Sequence, residues 1–282
     1  MTTVTKQTKH MGTLLFHEVD YQTAKEMIIK NHYSHKWNTA FGKINIGVFR
    51  DNKLLGVAVF GNLMNPKSYN KIANIEQNEI IELNRLWISD ELGHNAETIT
   101  LGACWKILRK DYSHIKLVQS FADGRLGCGT IYKASNFKYY GFTHTTFIKD
   151  TLTNNVQHNA VFNNSSRITQ MMNNNKIILD NNYECFKVKT YRYIYVLDKK
   201  VNIYLKEESY PNYDKGIVTC EHVPSDNHWG KLYWIYTMTG QQEYANKAYQ
   251  LIKTDKHKVI AEQYNHKAIV NFRNKLEKAN KH

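Results

Sequence analysis

Residues 80–129 constrain this chain more than any other segment, because they read as a strand, a helix and a strand in direct succession. Over 80–88, Ile81, Leu83, Arg85 and Trp87 alternate with Glu82, Asn84 and Leu86, so both faces mix apolar and polar side chains. That pattern suits a central strand covered on both sides, with Glu82 and Arg85 reaching a cleft. Asp90 to His94 turn the chain, Asn95 is a preferred helix cap, and Ile99, Ala103 and Ile107 carry a helix to about Arg109. Residues 115–122 return as an apolar strand, ending at Asp123 and the turn glycines Gly124, Gly127 and Gly129. Elements in this order imply an α/β domain.

Around this unit the periodicity places further elements. Residues 1–12 are polar and read as a loose arm, 14–19 as a strand, and 23–32 as a helix whose Ala24, Ile28 and His32 share an inward face. Residues 44–49 and 54–60 form a hairpin about Asp51-Asn52, followed by a polar loop over 62–78. A short helix is predicted over 130–136 and a strand over 139–147. The Asn-rich segment 151–182 reads as a mobile loop, before late strands at 186–188 and 191–197. From about Gly216 the character changes: the last 37 residues hold nine Lys or Arg against three acids. Their helical pattern is Tyr249, Ile252, Ile260, Tyr264, Ile269, Phe272 and Leu276.

With 38 Lys and Arg against 25 Asp and Glu, the 282-residue chain has a formal charge of +13. Such a balance favours a polyanionic partner, nucleic acid being the commonest, although it also serves solubility alone. Cys104, Cys128, Cys185 and Cys220 lie far apart without a C-x-x-C pair. That argues for a reduced, cytoplasmic compartment and against a zinc knuckle or disulfide framework. No apolar run approaches the roughly 18 residues of a bilayer span, so no membrane partner is expected.

Several side chains are candidates for chemistry. Asp123 ends a strand, where open α/β sheets place ligands, although Asp-Gly also simply makes a turn. Gly127 and Gly129 before a helix suit close approach of a phosphate or acyl group, or tight packing. Arg85, on a largely apolar strand face, needs an anion: Glu82, Asp123 or a ligand phosphate. Taken singly, His32 reads as a core histidine, and Tyr33, Ser34 and Tyr132 are unremarkable.

In combination they are not. The strings His32-Tyr33-Ser34, Glu82-Leu83-Asn84-Arg85-Leu86-Trp87, Asn95-Ala96-Glu97-Thr98, Ser120-Phe121-Ala122-Asp123 and Gly129-Thr130-Ile131-Tyr132-Lys133-Ala134-Ser135-Asn136-Phe137 occur in this order. With Tyr191-Arg192-Tyr193-Ile194-Tyr195 near the end, they resemble the Mom DNA-modification proteins of bacteriophages over roughly 14–205. The resemblance implies a GCN5-related N-acetyltransferase-like fold, a mixed central sheet flanked by helices, over 13–205, with a basic, partly helical extension over 206–282. It implies conversion of adenine in DNA to a methylcarbamoyl-type adduct, acetyl-CoA as acyl source, a requirement for iron, and protection of phage DNA from restriction. Matching positions are His32, Tyr33, Arg85, Asp123 and Tyr132, with Ser34 beside them.

Acetyltransferases carry a pyrophosphate signature of Gln or Arg, two residues, Gly, one residue, Gly or Ala; no such string follows Trp87. Asn95, Ala96, Glu97 and Thr98 are the substitute grip, with Gly127 and Gly129 near the acyl end. Asp123 or His32 would take the amine's proton and Tyr132 would protonate the leaving thiolate. His32 and Asp123, with Tyr33 as a third candidate, would be the ligands of Fe(II). Adenine N6 is paired inside duplex DNA, so the base must be flipped out or met in an open strand. Arg167 and the basic tail are candidate phosphate contacts. Two other readings stay open: an ordinary acetyltransferase of a protein, RNA or small-molecule amine, and a non-catalytic DNA-binding module. The oligomeric state is not legible.

Overall fold

The computed structural model describes residues 1–164, 167–213, 216–221, 224–262, 274, 277 and 278. In chain order the first elements are β1 (Val4–Thr8), β2 (Gly12–Glu18), α1 (Tyr21–Asn31), β3 (Ile44–Arg50), β4 (Lys53–Gly61) and α2 (Tyr69–Ile72). Next come β5 (Ile80–Ile88), α3 (Ala96–Asp111), β6 (Leu117–Asp123), α4 (Thr130–Ala134), β7 (Lys138–Asp150) and β8 (Val156–His158). The remainder are α5 (Ala160–Asn163), α6 (Ile168–Leu179), β9 (Tyr183–Val196), β10 (Ile217–Thr219), α7 (Asp226–Met238), α8 (Gln242–Gln250) and α9 (Asp255–Glu262).

The chain divides into two compact units, Met1–Thr143 with Thr190–Lys215, and His144–Lys189 with Gly216–His282. This differs from the boundary read at 205/206. Residues 144–189 belong with the C-terminal part because Ile148, Phe162, Ile168 and Met171 bury in one cluster with Trp229, Leu232 and Ile235. The Asn-rich segment is accordingly no loop. Asn175 is fully buried in α6, donating to the carbonyls of Phe162 (2.8 Å) and Met171 (2.7 Å). Its Oδ1 lies 3.0 Å from His228 Nε2 on α7, so this asparagine satisfies three groups inside the core. The tail's helical pattern is met by α8 and α9, with Ala245, Ala248 and Ile252 buried; Tyr264, Ile269, Phe272 and Leu276 lie outside the described residues.

The first unit is a mixed α/β layer structure. Its strands run β1-β2-β3-β4-β5-β6-β9, antiparallel at every pairing except β5 with β6, which are parallel. A parallel pair needs a crossover, and α3 supplies it. Alternation along β4 explains why both faces are covered: Ala58 and Phe60 join the cluster with Leu101, Cys104 and Trp105 of α3, whereas Val57 and Val59 join Ala24 and Ile28 of α1. Asp51 and Asn52 both take positive φ (51° and 61°), the geometry of a two-residue hairpin turn.

The arm expected over 1–12 is instead a paired strand. Val4 to Thr8 run in register with Phe16 to Gly12, and Thr8 Oγ1 closes the turn by donating to Gly12 O (2.9 Å) while accepting from Met11 N (3.0 Å). Thr2 is tied to the Asp111 carboxylate at the end of α3. Alternating polar residues on a sheet edge gave no apolar signal to read. By hydrogen exchange with mass spectrometry, amides within 4–8 are expected to show protection comparable to β2. Exchange within seconds would restore the loose arm.

Candidate active site

β5 and β6 pair only from Ile80↔Leu117 to Glu82↔Gln119. Beyond that point β5 stays bonded to β4, and β6 to β9 from Ser120↔Tyr193 to Asp123↔Thr190, so the two central strands part. At the apex a side chain replaces the ladder: Ser120 Oγ lies 3.0 Å from Leu83 O and 2.9 Å from Tyr132 Oη. The gap opens into a cavity of ≈ 330 Å³ lined by Leu83 to Leu86, Phe121 to Asp123, Tyr132, His32 and Tyr33. It is small for a ligand site, at the low end of about 300–1,000 Å³.

α1 delivers His32. The helix starts at Asp20, whose carboxylate caps Thr23 N (2.9 Å), and its last turn closes at His32 N to Ile28 O (3.0 Å). As the spacing of four predicts, His32 faces inward, with 6% of its surface exposed. Its Nδ1 accepts from Ser34 N (3.1 Å) and lies 2.9 Å from Ser34 Oγ. A backbone N–H can only donate, so Nδ1 carries the lone pair and the neutral ring holds its proton on Nε2. Burial, then the nearby Arg85 and His35, push this imidazole down to a pKa of about 4. Tyr33 packs on His32 with ring centroids 4.2 Å apart and stays 57% exposed at the mouth.

Asp123 stands at the end of β6 as expected, but its partner is Arg125, not Arg85. The guanidinium holds both carboxylate oxygens (Nε to each, 3.0 Å), and Arg125 N caps Oδ1 (3.0 Å). Arg125 is a site residue that the sequence reading missed; its spacing of two from the strand-end acid was the available signal. Arg85 stacks over Phe41 (4.6 Å to the centroid) and gives Nη1 to Asn84 O (2.6 Å). It makes no ion pair among the described residues, and its buried Nε has no hydrogen-bond partner there. Glu82 does not reach the cavity: its carboxylate takes N–H groups from Asn84 (3.2 Å), Gln119 (3.3 Å) and Met64 (3.4 Å) while burial pushes its pKa up.

Tyr132 is pushed up to about 12 by burial and keeps its proton. Gly129 is explained by packing: at φ 88° a Cβ would sit 2.6 Å from the Tyr193 ring, which stacks on Tyr132 at 4.9 Å. Gly127, with φ 151°, lines the cavity. The helix after them, α4, has only five residues. Asn95, Ala96, Glu97 and Thr98 are not brought to this cavity. Asn95 occupies the cap of α3 in a left-handed conformation without a capping side-chain bond, Ala96 is buried, and Thr98 lines a separate groove with Lys6 and Lys106.

Iron does not fit the donors present. Fe(II) sites of this kind combine at least two imidazoles with a carboxylate, and no group of three His, Cys, Asp or Glu comes together among the described residues. His32 has its lone pair engaged by Ser34 N, and both oxygens of Asp123 are engaged by Arg125. The expectation that His32 and Asp123 hold a metal is therefore not carried further. Nor, among the described residues, is any helix long and apolar enough to cross a membrane.

The family model of the Mom protein family matches residues 13–212. The methylcarbamoylase Mom of Escherichia phage Mu is 31% identical over 182 residues, which are 63% of this chain and 73% of that protein. Among solved structures, the ribosomal-protein-S5-alanine acetyltransferase from Vibrio fischeri aligns over 70% of this chain and 98% of its own, with 10% identity and a TM-score of 0.39. An N-acetyltransferase from Staphylococcus aureus Mu50 aligns over 65% and 97%, with 9% identity and a TM-score of 0.36.

The buried neutral histidine makes a measurable prediction. Its folded pKa, about 4, lies below the ordinary 6.5, so between these values the unfolded chain binds the extra proton. Stability is then lost as pH falls through that window and levels off below it, by about 3 kcal/mol. Urea unfolding at pH 7 and pH 4 is expected to show a difference that His32→Gln reduces by roughly that amount. An unchanged difference would mean that His32 titrates normally.

Proposed function

Because the chain belongs to the Mom protein family, we propose that it is a DNA-modifying transferase placing a methylcarbamoyl-type group on the exocyclic amine of adenine, so protecting the DNA from restriction. The observation that carries this reading is the gap between β5 and β6, where one carboxylate, one buried phenol, one unpaired guanidinium and one neutral imidazole surround a space of base size. A passive DNA-binding surface has no need to gather these groups in one recess.

The donor is an acyl thioester, acetyl-CoA in this reading, which supplies an activated carbonyl. Attack by N6 on that carbonyl forms the N–C bond and breaks the C–S bond, which delivers the acyl group and releases the thiol. The additional nitrogen of a methylcarbamoyl-type group belongs to a separate reaction with a nitrogen-bearing reactant, to which no residue of this chain is assigned. Adenine N6 is a weak nucleophile and loses its proton as it attacks. Asp123 takes that proton, being the one carboxylate among the described lining residues, with Arg125 fixing its orientation. His32 is assigned the other part: with its proton on Nε2 it donates a hydrogen bond to the polarised carbonyl instead of acting as base. Arg85, which has no carboxylate partner among the described residues, faces the charge that develops on the same oxygen. Tyr132 protonates the departing sulfur, and Ser120 holds its hydroxyl in place.

A paired adenine cannot enter this cavity without leaving the helix, and exposed Tyr33 at its mouth offers a stacking face for the flipped base. The formal charge of +13 attracts the phosphate backbone, so binding is expected to weaken steeply with salt.

The test is chemical. The full chain is expressed in bacteria, the DNA is digested to nucleosides, and these are weighed by mass spectrometry. A modified deoxyadenosine heavier by one methylcarbamoyl group is expected, absent with Asp123→Ala and formed about 100-fold more slowly with Tyr132→Phe. Unmodified deoxyadenosine throughout, from folded protein, would overturn the proposal. An acetylated protein or small amine in its place would establish the ordinary acetyltransferase.

A further inference from the structure

Cys185 and Cys220 are 35 residues apart in sequence, yet their Sγ atoms lie 2.9 Å apart. The second unit's short strand β10 pairs with β9 from Ile217↔Val188 to Thr219↔Phe186, and the next step in register brings Cys220 beside Cys185. Cys220 N completes that step by donating to Cys185 O at 2.9 Å. Facing residues on antiparallel strands have Cα atoms ~4.5–5.5 Å apart, inside the ~4.4–6.8 Å range of disulfides. Bonding would close the sulfur gap to ~2.05 Å with little movement of either strand. Neither thiol lines the cavity of the first unit, and among the described residues neither Cys104 nor Cys128 has a second thiol at such a distance.

We propose that Cys185 and Cys220 are a dithiol–disulfide pair, a redox modification site that takes a low-molecular-weight disulfide such as oxidised glutathione as its co-reactant. Cys220 is partly exposed and Cys185 only 4% exposed, which sets the order of steps. The Cys220 thiolate attacks one sulfur of the small disulfide, forming a mixed disulfide and releasing one small thiol. The Cys185 thiolate then attacks the Cys220 sulfur, the protein S–S bond forms, and the second small thiol leaves. Two electrons and two protons pass from the protein thiols to the small disulfide. Burial pushes the Cys185 thiol up to about 12, so the second step is the slower and accelerates with pH.

In a reducing compartment the pair rests as thiols, and an oxidative pulse converts it. What the bond secures is β10, a three-residue strand with Ile217 and Val218 each about half exposed. Closing the loop between the two cysteines constrains it in the opened state, so proteolysis near β10 should slow by about tenfold or more.

The full chain is incubated with oxidised glutathione at pH 8, blocked with iodoacetamide in denaturant, digested and analysed by mass spectrometry. The expected product is a peptide pair joined through Cys185 and Cys220, lighter by two hydrogens and separated by dithiothreitol, with Cys104 and Cys128 alkylated. Cys185→Ala should instead accumulate glutathione on Cys220, and Cys220→Ser should take up none at Cys185. Complete alkylation of both cysteines would overturn the proposal, as would a lasting mixed disulfide on Cys220 in the unsubstituted protein.

Discussion

The first unit depends on where two parallel strands stop pairing. β6 is bonded to β9 along its whole length, but after Gln119 it parts from β5, and the last bond across the division is made by a side chain, Ser120 to Leu83 O. Just before that point Glu82 and Gln119 are joined by a buried hydrogen bond of 3.3 Å, which fixes the register of the short paired segment. Each wall of the gap has its own outer neighbour, β4 on one side and β9 on the other. Both walls are thus anchored from outside the gap, the kind of support that preorganised donors need in the proposed reaction. Tyr132 inherits this rigidity, since the hydroxyl that seals the apex also touches its phenol.

What the sequence disclosed follows from range. His32 was readable because a helix repeats locally, and Asp123 because an apolar strand ended before a glycine turn. The partners of these residues were not readable in the same way. Arg85 had two acids nearby in sequence or in expected space, yet Asp123 was taken by Arg125 two residues on, where the turn geometry delivers a bidentate pair. Glu82 was taken by amides of Asn84 on its own strand and of Met64 and Gln119 from two other segments. Asn175 shows the same limit: an asparagine run reads as solvent-facing until a histidine 53 residues away buries one member of it. β1 escaped because an edge strand of polar residues carries no periodic apolar signal.

Charge follows a similar division between sum and placement. In the second unit Lys247 is held by Asp180 (2.7 Å) and Glu243 (2.8 Å), which raises its pKa, and Lys149 lies 3.3 Å from Glu184. Such pairs contribute little to stability at a surface, but they remove individual lysines from the set that can meet phosphate directly. For the proposed DNA substrate, the excess of +13 then serves chiefly as a long-range field, with few of its members needed as specific contacts.

Inside the cavity the same accounting decides what chemistry is favourable. Asp123 is matched by Arg125, His32 is neutral, and Tyr132 keeps its proton, so Arg85 leaves the lining with one positive charge. In the proposed reaction the proton taken by Asp123 and the negative charge gained by the carbonyl offset one another, so the set keeps its one positive charge at Arg85, whose buried Nε–H has no partner among the described residues. A divalent cation would change that balance. It would add two positive charges where the single carboxylate is engaged and the single imidazole points its lone pair at a backbone amide. Holding it would require breaking the Asp123–Arg125 pair and turning His32 away from Ser34, at the loss of two partly buried hydrogen-bonded arrangements. Under the proposed reading, the site as folded presents its one uncompensated positive charge to the oxygen that becomes anionic during the reaction.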